Sequence, residues 1–313
     1  VTNIHTFVVP GGDAYTFETN WEYDSWNRVK NITYPDGEIV SYGYNDGGQL
    51  TTMNSVKGSE VYDFITDIKY DKYGMRTDIY YGNGTRTEYT YDQQTLRLDN
   101  LKSYDIVGNL MQNLDYTYDD VGNITTLENT AGNLSGIGGN YTYTFGYDNL
   151  YRLLTATGNA DIEPASTNLS LNYTLGMTYT QSGNIETKSL VANTFVNGQV
   201  TNVNYNHFYN YPNPQQPHAV REVGSNTYFW DANGNMTMRY SKAGSRFLCW
   251  DEENRLTTVH DEGANPILSS YIYDAGGERV WKLSNHESTL KLRGKDVHRS
   301  MDLNKTLYIS PLM

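Results

Sequence analysis

The sequence of 313 residues contains a single cysteine, Cys249, so it cannot form an internal disulfide. It also lacks any run approaching the roughly 18 apolar residues that a membrane-spanning helix needs. Prolines are scarce, at 8, whereas aromatic residues make up 13% of the chain, which argues against a disordered or linker-like sequence. No helical periodicity of useful length is present. The chain is therefore expected to fold without disulfides, long helices or a membrane span.

Positive charge is also in short supply. Lys and Arg total 23 against 36 Asp and Glu, which gives a net charge of −13. This balance argues against nucleic acid and an anionic membrane surface as partners. No signal peptide is visible, and the sequence begins at Val1. We interpret it as a piece of a longer protein, whose export route these residues do not reveal.

Sequence patterns of catalytic and metal sites are missing as well. There is no H-E-x-x-H, G-x-S-x-G or phosphate-binding loop, and none of the 6 histidines lies at paired metal-ligand spacing. No cofactor and no metal are expected. Cys249 is expected to be a buried, inert thiol, because a nucleophile would need a positioned histidine. His218 is expected to be structural, although a hydrolase built from His207, His218 and a carboxylate stays open as an alternative.

What the sequence does contain is a recurring unit, shown most clearly by residues 116–124, Tyr-Thr-Tyr-Asp-Asp-Val-Gly-Asn-Ile. Tyr116 and Tyr118 would share one face of a β-strand, since strand side chains alternate. Asp119 and Gly122 are turn residues, because Asp can bond the nearby backbone and Gly tolerates positive φ. The aliphatic residue that follows opens the return strand. One unit is therefore a strand, a turn and a second strand.

Near-copies of this unit occur about eleven times, mostly roughly 20 to 30 residues apart, with a longer gap after residue 180. The residues predicted to define the units, as structural signature residues, are Tyr23, Asp24, Tyr44, Tyr70, Asp71, Tyr91, Asp92, Tyr104, Asp105, Gly108, Tyr118, Asp119, Gly122, Tyr147, Asp148, Tyr179, Gly183, Trp230, Asp231, Gly234, Trp250, Asp251, Tyr273, Asp274 and Gly277. A single hairpin is marginal in water, and stacking supplies its missing neighbours. The repeat therefore predicts an all-β fold of stacked antiparallel hairpins.

These units resemble the YD repeats of the Rhs family, which includes Rhs polymorphic toxins, shell components of Tc toxins and the teneurins. The resemblance covers residues 21–281 and is also carried by residues 23–28, 33–37, 81–85 and 217–220. It implies that the stacked hairpins form a curved, spiralling sheet, an arc of a hollow shell. Many Rhs proteins carry an Asp-Pro-x-Gly motif linked to self-cleavage, and this chain has no Asp-Pro. Neither self-cleavage nor toxicity is therefore assigned to it.

The sequence divides into an opening segment (1–20), a repeat region (21–281) and a C-terminal segment (282–313) that leads toward an absent core region. Residues 191–217 interrupt the period and are predicted to be an irregular insertion. Residues 158–167, which begin with Gly and include Pro, are predicted to be a loop.

The repeated aspartates are expected to cap turns, because the repeat places one in each turn and does not bring them together. Residues 231–235, Asp-Ala-Asn-Gly-Asn, superficially resemble a calcium loop. The offset of the glycine and the missing bidentate Glu favour a hairpin turn instead.

Two functions remain open for such a repeat. The leading hypothesis is a non-enzymatic structural segment of a secreted or surface-delivered bacterial toxin-type protein, forming part of a shell around a C-terminal effector. Its partners would be the flanking repeats and that effector. The alternative is an extracellular adhesion module that binds glycans or cell-surface proteins through rows of Tyr and Trp. Buried or lumen-facing aromatic side chains would favour the shell, whereas an outward aromatic stripe would favour adhesion.

Overall fold

The computed structural model describes residues 1–8, 14–132, 139–162, 169–196, 199–262, 267–273, 276–284 and 304–307. In the first half of the chain the strands are β1 (Thr2–Val8), β2 (Ala14–Tyr23), β3 (Val29–Thr33), β4 (Ile39–Tyr44), β5 (Leu50–Lys57), β6 (Glu60–Tyr70), β7 (Arg76–Tyr81), β8 (Arg86–Tyr91), β9 (Leu98–Tyr104), β10 (Leu110–Tyr118), β11 (Ile124–Asn129), β12 (Asn140–Tyr147) and β13 (Leu153–Ile162). The strands that follow are β14 (Leu169–Tyr179), β15 (Ile185–Val196), β16 (Gln199–Asn210), β17 (Glu222–Val223), β18 (Asn226–Trp230), β19 (Met236–Ser241), β20 (Gly244–Trp250), β21 (Leu256–Asp261), β22 (Ile267–Tyr273), β23 (Arg279–Ser284) and β24 (Asn304–Leu307). No helix in this described part of the chain is long and apolar enough to cross a membrane. The prediction of an all-β chain is confirmed.

The strands belong to two compact units. One comprises residues 1–4, 18–178 and 188–206, and the other comprises residues 5–17, 179–187 and 207–313. In the first unit β2 to β14 pair in sequence order, and in the second β16 to β24 do so, always antiparallel. The contacts among β3 to β13, and those among β17 to β24, join sequence neighbours only. Each unit is therefore a meander of hairpins one layer thick.

Turns in an antiparallel meander alternate between the two ends of the strands. In the first unit one end, called here the signature end, carries the turns 24–28, 45–49, 71–75, 92–97, 119–123 and 148–152. The opposite end of that unit carries the turns 34–38, 58–59, 82–85 and 105–109. In the second unit the turns 231–235 and 251–255 and the connection from β22 to β23 share one end of the strands in the same way, which is that unit's signature end.

The strand register gives the sheet of the first unit two unlike faces. Leucine and tyrosine side chains line one face, in cross-strand pairs such as Leu101 with Leu114. The buried hydrophobic side chains of this face are Trp21, Val40, Ile68, Ile79, Leu114, Ala156 and Ala160. Threonines line the other face, where Thr126, Thr144, Thr157 and Thr174 pair in succession across β11 to β14. Alternation along each strand thus separates an aromatic and aliphatic face from a hydroxyl-rich one.

The loop predicted at residues 158–167 is wrong for residues 158–162, which belong to β13; residues 163–167 lie outside the described ranges. Gly158 pairs with Tyr143 on one side and with Tyr173 on the other. A Cβ at Gly158 would come within 2.2 Å of the Tyr173 ring and 2.7 Å of the Tyr143 ring. The two rings, with centroids 6.1 Å apart, close over the glycine. Gly158 therefore serves cross-strand packing rather than a turn.

The irregular insertion predicted at residues 191–217 is wrong for most of its length. Residues 191–196 complete β15 and residues 199–210 form β16, each of which is a strand of 12 residues. Only residues 211–221 run without a strand between β16 and β17. These two strands carry Asn, Thr and Val in place of the Tyr-Asp signature, so the period is lost while the strand geometry persists.

We expect Gly158→Ala to lower the unfolding free energy by about 1–3 kcal/mol, because the added methyl must displace one of two packed rings. Denaturant unfolding of the purified chain measures this loss. The matched control is Gly176→Ala on the hydroxyl-rich face, where the nearest neighbour is the rotatable Ser189 Oγ at 2.9 Å. Equal losses in the two variants would contradict the packing role of Gly158.

Candidate functional site

The turns at the signature end are held by a side-chain oxygen of their first residue, as Asp119 shows. The Asp119 N–H donates to the Asn123 carbonyl at 2.9 Å, and the Gly122 N–H donates to the Asp119 carbonyl at 3.1 Å. Asp119 Oδ1 also accepts from the backbone N–H groups of Gly122 and Asn123 at 2.8 Å, and of Val121 at 3.1 Å. Asp119 Oδ2 accepts from Asn123 Nδ2 at 2.8 Å. One carboxylate thus accepts from three backbone N–H groups of the turn and from the Asn123 side chain.

The same arrangement recurs in both units. An Oδ1 atom accepts from the N–H groups two and four residues later in the turns of Asp24, Asp71, Asp105, Asp148, Asp231 and Asp251. Asp92 accepts from Gln94 and Thr95 in a turn one residue longer. Asn45 Oδ1 and Thr180 Oγ1 take the place of the carboxylate in two further turns. Asp274 lies outside the described residues.

The second carboxylate oxygen distinguishes two types of turn. It accepts from an Asn four residues later in the turns of Asp105, Asp119 and Asp231, and from an Arg in those of Asp24, Asp148 and Asp251. The side-chain bond from Arg28, followed by the bond from its backbone N–H, holds the pKa of Asp24 below its ordinary value. The side-chain bond from Asn123 likewise lowers the pKa of Asp119. Both carboxylates therefore stay ionised and keep their turns closed at neutral pH.

The fourth residue of these turns has the left-handed conformation. In turns that end in Asn it is glycine, as in Gly108 (φ 89), Gly122 (φ 102), Gly183 (φ 86) and Gly234 (φ 86). In turns that end in Arg it is Asn27 (φ 61), Tyr151 (φ 61) or Asn254 (φ 60). Asn adopts this conformation at lower energetic cost than most other residues with a Cβ. Two of the three non-glycine residues at this position are therefore only slightly strained.

A tyrosine hydroxyl joins each repeat to the preceding one. Tyr118 Oη donates to the carbonyl of Leu98 at 2.7 Å. Leu98 opens the return strand of the preceding signature turn, and the pairing register shifts beside it, between Thr90 and Tyr91. Such a bulge interrupts the backbone ladder and leaves a carbonyl in need of a donor. The tyrosine of the next repeat supplies that donor.

The same bond recurs along both units. Tyrosine hydroxyls donate at 2.6 to 3.0 Å from Tyr44 to Val29, Tyr70 to Leu50, Tyr91 to Arg76, Tyr147 to Ile124 and Tyr273 to Leu256. In two repeats an indole replaces the phenol, and Nε1 donates at 2.7 Å from Trp230 to Val220 and from Trp250 to Met236. Tyr and Trp are interchangeable here because each is a flat ring with a donor at its far end.

Strand register determines which carbonyl is reached. The residue three positions before the aromatic residue pairs with the residue two positions after the acceptor. For Tyr118, whose acceptor is Leu98, this pair is Asp115 with Asn100. The rule also gives the pairs Ser41 with Asn31, Glu88 with Asp78, Thr144 with Thr126, Thr227 with Glu222, Phe247 with Met238 and Ser270 with Thr258.

Tyr104 departs from this pattern because its turn, 105–109, lies at the opposite end of the strands. The Tyr104 hydroxyl donates to Glu88 Oε2 at 2.9 Å instead of to a bulge carbonyl. The Arg86 guanidinium lies 4.3 Å from the centre of the Tyr104 ring. The sequence signature therefore identifies a turn but does not say at which end of the strands the turn lies.

Side chains at the last two turn positions contact the neighbouring repeat. The Arg28 guanidinium lies 4.3 Å from the centre of the Tyr44 ring. Arg97 Nη1 donates to the carbonyl of Asp119, in the next signature turn, at 3.0 Å. In the second unit Asn254 Oδ1 accepts from the Nδ2 atoms of Asn233, at 3.0 Å, and Asn235, at 2.8 Å, both in the preceding turn.

The cysteine and histidine considered as reactive groups occupy other settings. Cys249 is exposed, so the prediction of a buried thiol is wrong. Cys249 and Trp250 are successive residues of β20, so their side chains point to opposite faces of the sheet. His218 Nδ1 lies 2.6 Å from Asn184 Oδ1, and Asn184 Nδ2 donates to the Pro217 carbonyl at 2.7 Å. Within the described residues there is no group of three or more His, Cys, Asp or Glu side chains that could hold a metal.

The turn geometry agrees with a known family. The RHS Repeat family matches residues 23–60, which contain the turns 24–28 and 45–49. The same turn and the same junction recur through both units. Residues 23–60 therefore carry an RHS repeat.

The chain is 26% identical over 260 residues to the toxin subunit YenC1 of Yersinia entomophaga, an alignment that covers 70% of this chain and 26% of YenC1. The crystal structure of TcdB2-TccC3-TEV matches 92% of the chain with a TM-score of 0.75 and 22% identity. The Tc holotoxin pore of Photorhabdus luminescens matches 92% with a TM-score of 0.73 and 22% identity. The chain spans about a quarter of the curated relative and 15% of each solved chain. These likenesses confirm the predicted fold class.

We expect Tyr118→Phe to destabilise its junction by about 1 kcal/mol, because the Leu98 carbonyl loses its donor. Native-state hydrogen exchange should show the loss in β9 and β10 more than in distant strands, since repeat stability is a nearest-neighbour property. Tyr23→Phe is the control, because the Tyr23 hydroxyl has no hydrogen-bond partner among the described residues. Equal effects of the two substitutions, or a loss spread evenly over the chain, would contradict the junction.

Asp119→Asn should weaken the turn at neutral pH, because an amide cannot accept hydrogen bonds on both terminal atoms. The lowered pKa of Asp119 means that its contribution is complete above the unfolded-state pKa of about 3.9 and is lost as the pH falls through the folded-state pKa. Urea midpoints between about pH 3 and pH 7 should therefore fall less on acidification in this variant than in the parent. Asp120→Asn, at an adjacent carboxylate outside the turn's hydrogen bonds, should keep the acid dependence of the parent. A smaller acid dependence of the urea midpoint in Asp120→Asn than in Asp119→Asn would contradict the proposed role of Asp119.

Proposed function

We propose that this chain is a non-enzymatic structural segment of a secreted bacterial Tc-type toxin protein, and that it forms part of the wall of a shell around a C-terminal effector. The observation that carries the proposal is the junction between repeats, in which the hydroxyl or indole donor of one repeat occupies the bulge carbonyl of another. The partners of this structural segment are the flanking repeats of the longer polypeptide and the enclosed effector.

The use of the polar side chains supports a structural role. The signature carboxylates of Asp24, Asp119, Asp148, Asp231 and Asp251 each accept several hydrogen bonds from their own turn. A carboxylate committed to three or more donors is a poor general base or nucleophile. The repeat distributes these groups one to a turn, so they support a wall rather than an active centre.

The one-layer sheet suits a wall. Each hairpin needs only the hairpins beside it, so the sheet can be lengthened by further repeats without a new core. The relatives support the toxin context, since YenC1 is named as a toxin subunit and the similar Photorhabdus luminescens structure as a Tc holotoxin pore. Exposed aromatic side chains such as Trp26, Tyr73 and Tyr151 lie at turns, and they are the surface that the alternative adhesion hypothesis would use.

Enclosure predicts that the effector is shielded from protease. The polypeptide extended through its native flanks, effector included, is compared with the effector produced alone. We expect cleavage of the effector to slow by on the order of tenfold or more in the extended protein, because a protease reaches only transiently open states. Electron microscopy of the same sample should show a hollow body with internal density.

A matched pair of variants tests whether the wall gives the protection. Combined Tyr→Phe substitutions at Tyr44, Tyr118 and Tyr147 remove junction bonds and should speed effector cleavage. Tyr→Phe substitutions at Tyr73, Tyr151 and Tyr240, which are exposed, should leave cleavage unchanged. A compact solid particle, or an effector cleaved as fast as the free one, would overturn enclosure. Glycan binding by such a particle would favour adhesion.

A further inference from the structure

The first hairpin of the first unit carries the donor side of a repeat junction. Tyr23 occupies the same turn position as Tyr44 and Tyr118, but its side chain is 42% exposed. No residue that the structure describes accepts a hydrogen bond from its hydroxyl. Tyr44 and Tyr118 each bond the carbonyl at the bulge of the repeat before them. Tyr23 therefore has the donor of a junction without the carbonyl that the other repeats provide.

The register of β1 and β2 specifies where that carbonyl would lie. Trp21 and Val1 exchange two backbone hydrogen bonds, each of 2.7 Å, so they are directly opposite one another. Trp21 is two positions before Tyr23. In the Tyr118 junction, Asp115 pairs with Asn100. One residue further along each strand, the residue two positions before the aromatic residue faces the residue immediately after the acceptor. The other junctions have the same register. The acceptor for Tyr23 is therefore the carbonyl of a residue bonded directly to the nitrogen of Val1.

Asn27 gives an independent indication of the turn that fits. The turn 24–28 ends in Asn27 and Arg28, just as the turn 251–255 ends in Asn254 and Arg255. Asn254 uses its side-chain oxygen to accept from two asparagines of the preceding turn. The Asn27 side chain has no hydrogen-bond partner within the described ranges. The equivalent partner for Asn27 is a turn with Asn at its third and fifth positions, like Asp231-Ala-Asn233-Gly-Asn235.

We propose that Tyr23, Asn27 and the β1 edge form a docking site for one further YD turn, of the Asp-x-Asn-Gly-Asn type, whose bulge residue is bonded directly to Val1. The hydroxyl of Tyr23 donates to the carbonyl of that residue, and the amide oxygen of Asn27 accepts from the two asparagines. The inference rests on repeat geometry and not on enclosure of an effector. Failure of the protease experiment would not contradict this docking site. Failure of the docking experiment would not contradict enclosure of the effector.

The chain itself supplies the probe. A copy of residues 226–236, which comprise β18, its turn and Met236, is joined directly ahead of Val1. Hydrogen exchange at the amides of residues 20–23 should then slow by roughly three- to tenfold relative to the same extended chain carrying Y23F, as expected for one hydrogen bond. Y23F in the chain without the extension should change these rates by less than about twofold.

Two further variants separate docking from simple lengthening. One extra Gly between the added Met and Val1 shifts the register by one residue and should abolish the dependence on Tyr23. Asn27→Ala should reduce protection only in the extended chain. Equal protection with and without the Tyr23 hydroxyl, or an unchanged effect after the Gly insertion, would overturn the proposal. A Tyr23 effect that appears in the unextended chain and grows with protein concentration would also overturn it, because the occupant would then be a second copy.

Discussion

The structure depends on a hydrogen bond to the backbone carbonyl that each β-bulge leaves without a partner in the strand ladder. The pairing register shifts beside the signature turns, as between Thr90 and Tyr91, and an unpaired carbonyl against the sheet is costly. The chain meets this cost with an aromatic side chain from the adjacent repeat, as in the Tyr118 bond to Leu98. Because the donor and acceptor belong to different repeats, no repeat is complete alone. The same hydrogen bond therefore completes the fold of each repeat and holds neighbouring repeats together.

This arrangement also explains how a sheet one layer thick can persist in water. Ordinary sheets bury one face against a second layer. Here the aromatic side chains of one repeat bond the strand of the preceding repeat, as Tyr44 bonds Val29. Arginines such as Arg28 and Arg255 stack on the rings of Tyr44 and Tyr273. Burial raises the pKa of the Tyr44 hydroxyl, as expected for a phenol held against the sheet. The tyrosines thus act as the missing layer, and their hydroxyls fix where each ring lies.

Much of this could be predicted from the sequence, because turn chemistry is local. Asp, Gly and Asn at fixed offsets identify the turns, and their recurrence carries the resemblance to YD repeats. The missed features are non-local. Gly158 reads as a loop residue, since nothing beside it in sequence shows that Tyr143 and Tyr173 cover it. Residues 191–210 lose the signature but keep the strand. The acceptor of each junction is a backbone carbonyl, which no residue type marks, so the donor could be seen in the sequence and its partner could not.

The alternation of turns between two ends has a consequence for how such a chain can change in length. Tyr118 and Tyr147 reach their acceptors because two strands separate successive signature turns. Gain or loss of a single strand would send every later signature to the other end and exchange the roles of the two faces. Tyr104, whose hydroxyl bonds Glu88, shows what a signature does when it falls out of phase. The unit of duplication or deletion that keeps all junctions is therefore the whole hairpin, so viable length changes are quantised in pairs of strands.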